Sequence, residues 1–354
     1  MAFPTALFTK ISAKLIPGHG TNAVEGLGLA SAVNELQDEM AGVQVVINFQ
    51  NSGVPKSGTD GTLAGIAVVG SRVFDLIGKV TYVNDGTLAS PYWVMLNTPG
   101  TMNTIGVRED HRAGVLGLMP IAGSNMSAYM DSGARIFGDG HADSDSGVIP
   151  GAPSGEGGRP HGVYTTTNED LHTINIGGPT ASYQPDQHGG AVIDAEFATI
   201  TALTDRSHFF GFVGGAIDAM VTPATISTTV TTNVLPDLCG FVMDSNGGDA
   251  DGVFITDNSS NGNATVSNAA TPNAHARDLG APLVADTFVR YRVEIDEDGG
   301  FRCFSNKALV FVAPAATMDV DEELSPILQL MAGAAAIKTM HVRNYEHYWN
   351  RTTS

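Results

Sequence analysis

The chain has 354 residues, of which 42% are hydrophobic, enough to bury cores and to exclude wholesale disorder. Lys and Arg number 18 against 37 Asp and Glu, a formal net charge of −19 that repels phosphate backbones and anionic lipid surfaces and so argues against nucleic-acid and membrane partners. With 42 Gly and only 16% charged residues, the composition favours short strands and tight turns over long charged helices.

The first residues carry Lys10 and Lys14 after a short apolar stretch instead of before it, the wrong order for a secretory signal. No apolar run approaches the ~18 residues of a membrane span, so a soluble product of the cytoplasm is expected. Residues 1–22 read as an extended arm. Glu25 to Met40 is predicted as a helix, with Leu27, Ala30, Val33, Leu36 and Met40 at helical spacing and Gly42 at the stop. Strands are predicted over Val43–Phe49, Leu63–Val69, Arg72–Ile77, Lys79–Val83 and Tyr92–Leu96, with Asn84-Asp85-Gly86 as a turn. Residues 23–99 thus read as a small α+β anchoring domain.

From 100 to 164 the chain reads as a Gly-rich linker or set of loops, with one candidate strand over Val115–Ile121. After Thr165 strand signals come regularly. Phe288 to Ile295 alternates, with Val289, Tyr291, Val293 and Ile295 on one face and Arg290, Arg292 and Glu294 on the other. The turn Asp296-Glu297-Asp298-Gly299-Gly300 leads into Phe301-Arg302-Cys303-Phe304, a hairpin. Many short strands without intervening helices predict a mainly β protein whose residues 165–354 form an antiparallel β-sandwich.

The closing stretches "FVRYRVEIDEDGGFRCFSNKALVFVAP" and "SPILQLMAGAAAIKTMHVRNYEHYW" resemble the last strands of concanavalin A-like lectin/glucanase jelly rolls. The corner Ser305-Asn306-Lys307 lacks the Gly usual there. Versions with an Ala-rich penultimate strand also resemble structural proteins of tailed bacteriophages that decorate or cement capsids, or form head fibres and spikes. The resemblance implies a virion structural protein, located in the virion, that binds the major capsid protein or other virion proteins and forms a homo-oligomer, with a trimer as one form. The alternative it implies is a carbohydrate-binding adhesin, head fibre or tail module that meets host-surface glycans. A glycoside hydrolase is the third reading.

Glucanases of this class carry an E-x-D-x-x-E run whose carboxylates act as nucleophile and acid. Here the run is Glu294-Ile295-Asp296-Glu297-Asp298-Gly299, with Gly299 where the second glutamate belongs. A solvated turn accounts for it, so no enzyme and no catalytic residue are expected. Asp194 and Glu196 share a strand face and read as a solvent-facing edge. Calcium is considered at Asp139, Asp143 and Asp145, and at Asp244, Asn246, Asp249 and Asp251, against ordinary Asp/Asn/Gly turns as the favoured reading; no other cofactor is indicated. Cys239 and Cys303, in no metal-binding spacing, read as two buried free thiols, with a disulfide between them as the alternative. His341 and His347 fall on one strand face by parity and, like His161, His172 and His188, read as structural or exposed. Sugar rings would need exposed aromatics, for which Tyr345, Tyr348 and Trp349, with Tyr183, are the candidates; a buried or interface role is the preferred reading.

Overall fold

The computed structural model describes residues 48–96, 104–110, 123–129, 134–141, 147–150, 162–166, 172–177, 183–200, 203–214, 224–227, 230–233, 237–245, 254–258, 265–267, 276–279 and 283–350. The predicted arm, the predicted helix over Glu25–Met40 and the candidate strand over Val115–Ile121 lie outside them. Four short strands come first: β1 (Asn48–Asn51), β2 (Arg72–Asp75), β3 (Thr81–Asn84) and β4 (Trp93–Met95). They form one sheet in that order, β1 parallel to β2 and the rest antiparallel. The strand expected over Leu63–Val69 is instead a series of turns, because Leu63 and Gly65 both take positive φ and cannot continue a strand.

Five strands follow where a linker was expected: β5 (Thr104–Asp110), β6 (Gly123–Tyr129), β7 (Arg135–His141), β8 (Gly147–Pro150) and β9 (Gly162–Thr165). Next come β10 (Thr173–Gly177), the short helix α1 (Pro185–His188), β11 (Ala191–Thr199), β12 (Arg206–Gly214), β13 (Ala224–Ser227), β14 (Val230–Asn233) and β15 (Leu238–Asp244). The chain closes through β16 (Phe254–Asn258), β17 (Thr265–Ser267), β18 (Ala276–Asp278), β19 (Val289–Ile295), β20 (Phe301–Ser305), β21 (Ala308–Ala313), β22 (Leu324–Ala332) and β23 (Thr339–Asn350).

One layer of the sandwich runs β18-β16-β15-β12-β22-β10-β7-β6 and the other β21-β20-β19-β11-β23-β9-β8, with β5 also paired to β23. A third, small sheet runs β13-β14-β17. The chain crosses between layers from β10 to β11 to β12 and again from β22 to β23, the jelly-roll pattern expected from the sequence. The linker reading is corrected because β5 to β9 join these two layers. Their glycines hide the alternation that marks a strand. Gly138 shows why one is needed: a Cβ there would lie 2.3 Å from the Thr173 carbonyl oxygen on β10.

Between the layers, alternate residues interdigitate: Phe210 and Phe212 of β12, Ile193 and Phe197 of β11, Leu328 and Leu330 of β22. Phe241 stacks on Tyr291 at 4.2 Å. Cys239 and Cys303 are buried in this core and form no disulfide. A β-bulge at Glu196/Phe197 shifts the pairing of β11 with β23. Below it Met340 and Val342 face the core; above it Tyr345 and Trp349 do. The bulge therefore breaks the parity that placed His341 with His347. Among the described residues no helix is long and apolar enough to cross a membrane.

On β12 and β15, Gly211 and Gly240 face each other across the pair. A Cβ on either would meet carbonyl oxygen at 2.1–2.2 Å and the opposite Cα at 2.8 Å, so the two strands approach too closely for any side chain. The outer side of this layer is apolar, with Phe137, Phe209, Val213, Leu238, Val242 and Ile327 packed with Ala224 of β13. Gln329 lies in the same cross-strand row as Phe209 and Asn175. It is buried, and neither its Oε1 nor its Nε2 has a hydrogen-bond partner among the described residues. Gln329→Met should stabilise the fold by about 1–2 kcal/mol in urea titration, since it removes a buried unmade amide at constant volume.

His208 and His347 are wholly buried, and burial pushes each down to about 3. Between the ordinary histidine value and about 3 the unfolded chain binds protons that the folded chain refuses. Stability contributed by these groups is therefore present above that window and lost as pH falls through it. The melting temperature should drop as pH is lowered from about 7 to 4, and His208→Phe should flatten the drop.

Candidate functional site

The charged face of β19 is the most concentrated chemistry among the described residues, and the sheet register assembles it. Arg292 of β19 pairs with Asp194 of β11, which pairs in turn with Glu346 of β23. One step along, Arg302 of β20 pairs with Glu294 of β19. This side of the layer points away from the sandwich core, and the first sheet covers it. Val73, Val80, Tyr82, Trp93 and Met95 of that sheet and its loops pack on Val192 and Tyr348.

Arg292 is fully buried at the centre. Its guanidinium lies 2.6 Å from Glu294 Oε1 and 3.6 Å from Asp194 Oδ2, and sits 4.6 Å from the Tyr92 ring centroid. Arg290 donates to both Asp194 oxygens, at 2.7 and 2.9 Å, the two-pronged geometry that suits guanidinium and carboxylate. The Tyr92 hydroxyl donates to Asp194 Oδ2 at 2.7 Å. The Ser57 backbone N–H donates to Glu294 Oε2, and the Ser57 hydroxyl accepts from the Trp93 N–H. At the margin Arg302 joins Asp296 and Asp60, while Lys56 reaches Asp296 at 3.0 Å. Asn350 donates to Asp75 Oδ2.

Electrostatics follow from these contacts. Burial pushes the Asp194 carboxyl up, but Arg290, then Arg292 and the Tyr92 hydroxyl, outweigh it and hold it below the usual carboxylate range. Burial, and then the Asp194 charge, push the Tyr92 phenol well above its ordinary value. Burial works against the Arg292 charge, yet Tyr348, Glu294, Tyr92 and Asp194 together raise it, so it stays a cation. Lys56, Arg290, Arg292 and Arg302 stand against Asp60, Asp194, Glu294 and Asp296, four charges of each sign, with Glu346 a fifth carboxylate beside Asp194. Chemically it is a clamp.

Several sequence expectations change here. Glu294 and Asp296 are not a solvated turn: both are buried and ion-paired. Asp194 is not a solvent-facing edge residue, and Glu196 is half-buried against Arg343 at 3.0 Å. Tyr345, Tyr348 and Trp349 offer no face to a sugar ring. Tyr345 and Trp349 lie in the sandwich core and Tyr348 under the first sheet, all three fully buried, as is Tyr183. Asp244 is buried at the end of β15, and Asp139 lies in β7; Asn246, Asp249, Asp251, Asp143 and Asp145 fall outside the described residues. Among the described residues no group of three or more His, Cys, Asp and Glu is placed to hold a metal ion. The clamp had one sequence signal, the repeated charge at Arg290, Arg292 and Glu294 in a chain poor in charge; nothing in the sequence says what covers it.

Arg292→Met strands Glu294 in a dry interface, while Asp194 keeps Arg290 and Tyr92, and should cost about 3–5 kcal/mol, with Glu294→Gln added on top costing less than its single effect. Lys307→Met, which breaks the exposed 2.6 Å pair with Asp85, should cost below about 1 kcal/mol. Urea titration of the four variants checks both statements.

No protein-family model matches the chain. No curated protein matches it either. Among solved structures it is similar to a protein of unknown function from Shewanella oneidensis MR-1, at 10% identity and TM-score 0.38, covering 73% of this chain and 92% of that one. It is also similar to the carbohydrate recognition domain of Emp47p, at 9% identity and TM-score 0.38, covering 70% and 95%. The binding domain of botulinum neurotoxin serotype G follows at 11% identity and TM-score 0.36, where 70% of this chain spans about half, 48%, of that chain. Strand order, register and burial carry the assignment: a mainly β protein, built as a jelly-roll sandwich with a small sheet clamped onto one layer.

Proposed function

We propose that the chain is a structural protein of a viral particle, a capsid decoration or cement protein that works by burying surface between subunits and has no catalytic role. One observation carries this reading. Six large hydrophobic residues are exposed within residues 48–96: Ile66, Val69, Phe74, Leu76, Leu88 and Leu96. Elsewhere among the described residues only Val284, Val312 and Ile337 are exposed in this way. Phe74 and Leu96 share the outer face of the first sheet with the half-buried Val83 and Val94, and the clamp beneath holds that face in a fixed direction. An apolar face so held is suited to docking.

The partners are the major capsid protein or other virion proteins and further copies of the chain, and the place is the virion. The carboxylates a hydrolase would use, Glu294 and Asp296, are already held by cations, which supports a non-catalytic role. A glycan-binding role would need residues other than Tyr345, Tyr348 and Trp349. Particles assembled with and without the chain, imaged by electron cryo-microscopy, test the reading. A repeating surface density should vanish with the chain, and particles should release their contents at lower temperature. Unchanged density and unchanged heat resistance would sink it. Selective binding on a glycan array would favour the adhesin alternative instead.

A further inference from the structure

Charge identifies what the outward face of the first sheet can take. Residues 48–96 contain three cations, Lys56, Arg72 and Lys79, and three anions, Asp60, Asp75 and Asp85. The whole net charge of −19 therefore lies outside this segment. All three anions are engaged: Asp60 with Arg302, Asp85 with Lys307, and Asp75 with Asn350 and the N–H groups of Gly53 and Ile77. Arg72 and Lys79 are exposed and have no carboxylate partner among the described residues. Arg72 stands on the same strand face as Phe74, and Lys79 at the turn from β2 to β3. The face is thus apolar with an unpaired positive margin.

One end of the sandwich is its complement. Residues 308–323 contain no Lys or Arg. Val312, Pro314, Ala315 and Ala316 are exposed there, flanked by the exposed Asp319, Asp321 and Glu323. Hydrogen bonds from the Ala316 N–H to the Asp298 carbonyl and from the Met318 N–H to the Gly299 carbonyl tie this segment to the turn bearing Glu297 and Asp298, both exposed. Asp237 is buried beside it, with an Oδ1 that has no hydrogen-bond partner among the described residues. Burial, and then the neighbouring Glu322, Asp319 and Asp321, push its carboxyl up to about 6.

We propose that the outward face of the first sheet takes the acidic end of a second copy of this chain, head to tail. Apolar meets apolar at Phe74 and Leu96 against Val312 to Ala316, and Arg72 and Lys79 meet the carboxylates of 297–298 and 319–323. A face-to-face contact of two first sheets would set the unpaired cations of both copies against each other, so the contact is heterologous. Each copy then keeps one free face and one free end, and the association grows into a ring or a string. This deepens the docking reading above and names the partner, but it is tested on the purified chain without any particle. The two can therefore fail separately.

The test is sedimentation equilibrium of the purified full chain at about 0.05 M and about 1 M salt, where the longer screening length of dilute salt strengthens opposite-charge contacts. The mean mass should exceed one chain, rise with protein concentration and fall in high salt. R72E/K79E and D319K/D321K should each sediment as single chains, with circular dichroism melts showing that both fold. Mixing the two charge-reversed proteins should restore association, because each then offers the complement of the other. A wild-type chain that stays single up to about 300 µM overturns the proposal. So does a D319K/D321K protein that still associates by itself, since that would mean a face-to-face contact or another surface.

Discussion

Everything outside the sandwich core depends on keeping one guanidinium dry. Arg292 sits on the far side of a central strand, with Asp194 beside it and Glu294 two residues on, and none of its surface is exposed. An arginine in that position is tolerable only if its carboxylates are in place. The first sheet supplies what is missing: the Tyr92 hydroxyl for Asp194, the Ser57 N–H for Glu294, and a ring face for the cation itself. The loops delivering these groups are fixed in turn. The Asn84 side chain donates to the Ala67 carbonyl and accepts from the N–H groups of Gly86 and Tyr92, which holds the hairpin from β3 to β4 in register with the clamp.

The two layers of the sandwich are thus covered by different physics. The outer side of the β12-β22 layer is mostly hydrocarbon around the buried amides of Gln329 and Asn175, and its apolar part tolerates many shapes of similar volume. The outer side of the β19-β11 layer is closed by paired charge, which tolerates only one alignment, because a displacement of a few ångströms would leave ions desolvated and unpaired. The second kind of cover stabilises less than its many contacts suggest, but it fixes direction. The exposed face of the first sheet consequently points one way, whatever binds to it.

The hairpin from Phe288 to Phe304 was legible in the sequence because its alternation and its Gly-containing turn are local signals, and β19 and β20 fall there. The two-layer architecture could be read from the spacing of strands after Thr165. Strands β5 to β9 could not, because residues such as Gly138 are selected for close approach and erase the alternation a reader depends on. The clamp was half legible. Arg290, Arg292 and Glu294 announced a charged strand face, but burial is a property of what lies across from it, about two hundred residues or more earlier in the chain at Tyr92 and Ser57. The same blindness made Tyr345, Tyr348 and Trp349 look available to a ligand. A terminal aromatic cluster has the same sequence whether it faces solvent or core, and the bulge in the pairing of β11 with β23 removes the parity that would have sorted it.

The close approach of β12 and β15 leaves a mark of another kind. Phe210-Gly211-Phe212 lies directly against Cys239-Gly240-Phe241, and neither glycine can gain even a methyl group without driving the strands apart. The rest of the chain can drift while this antiparallel pair of tripeptides stays constrained on both sides at once. Two glycines about thirty residues apart, each followed by a core phenylalanine, form a fingerprint by which distant kin of this sandwich can be recognised when overall identity has fallen to the level of chance.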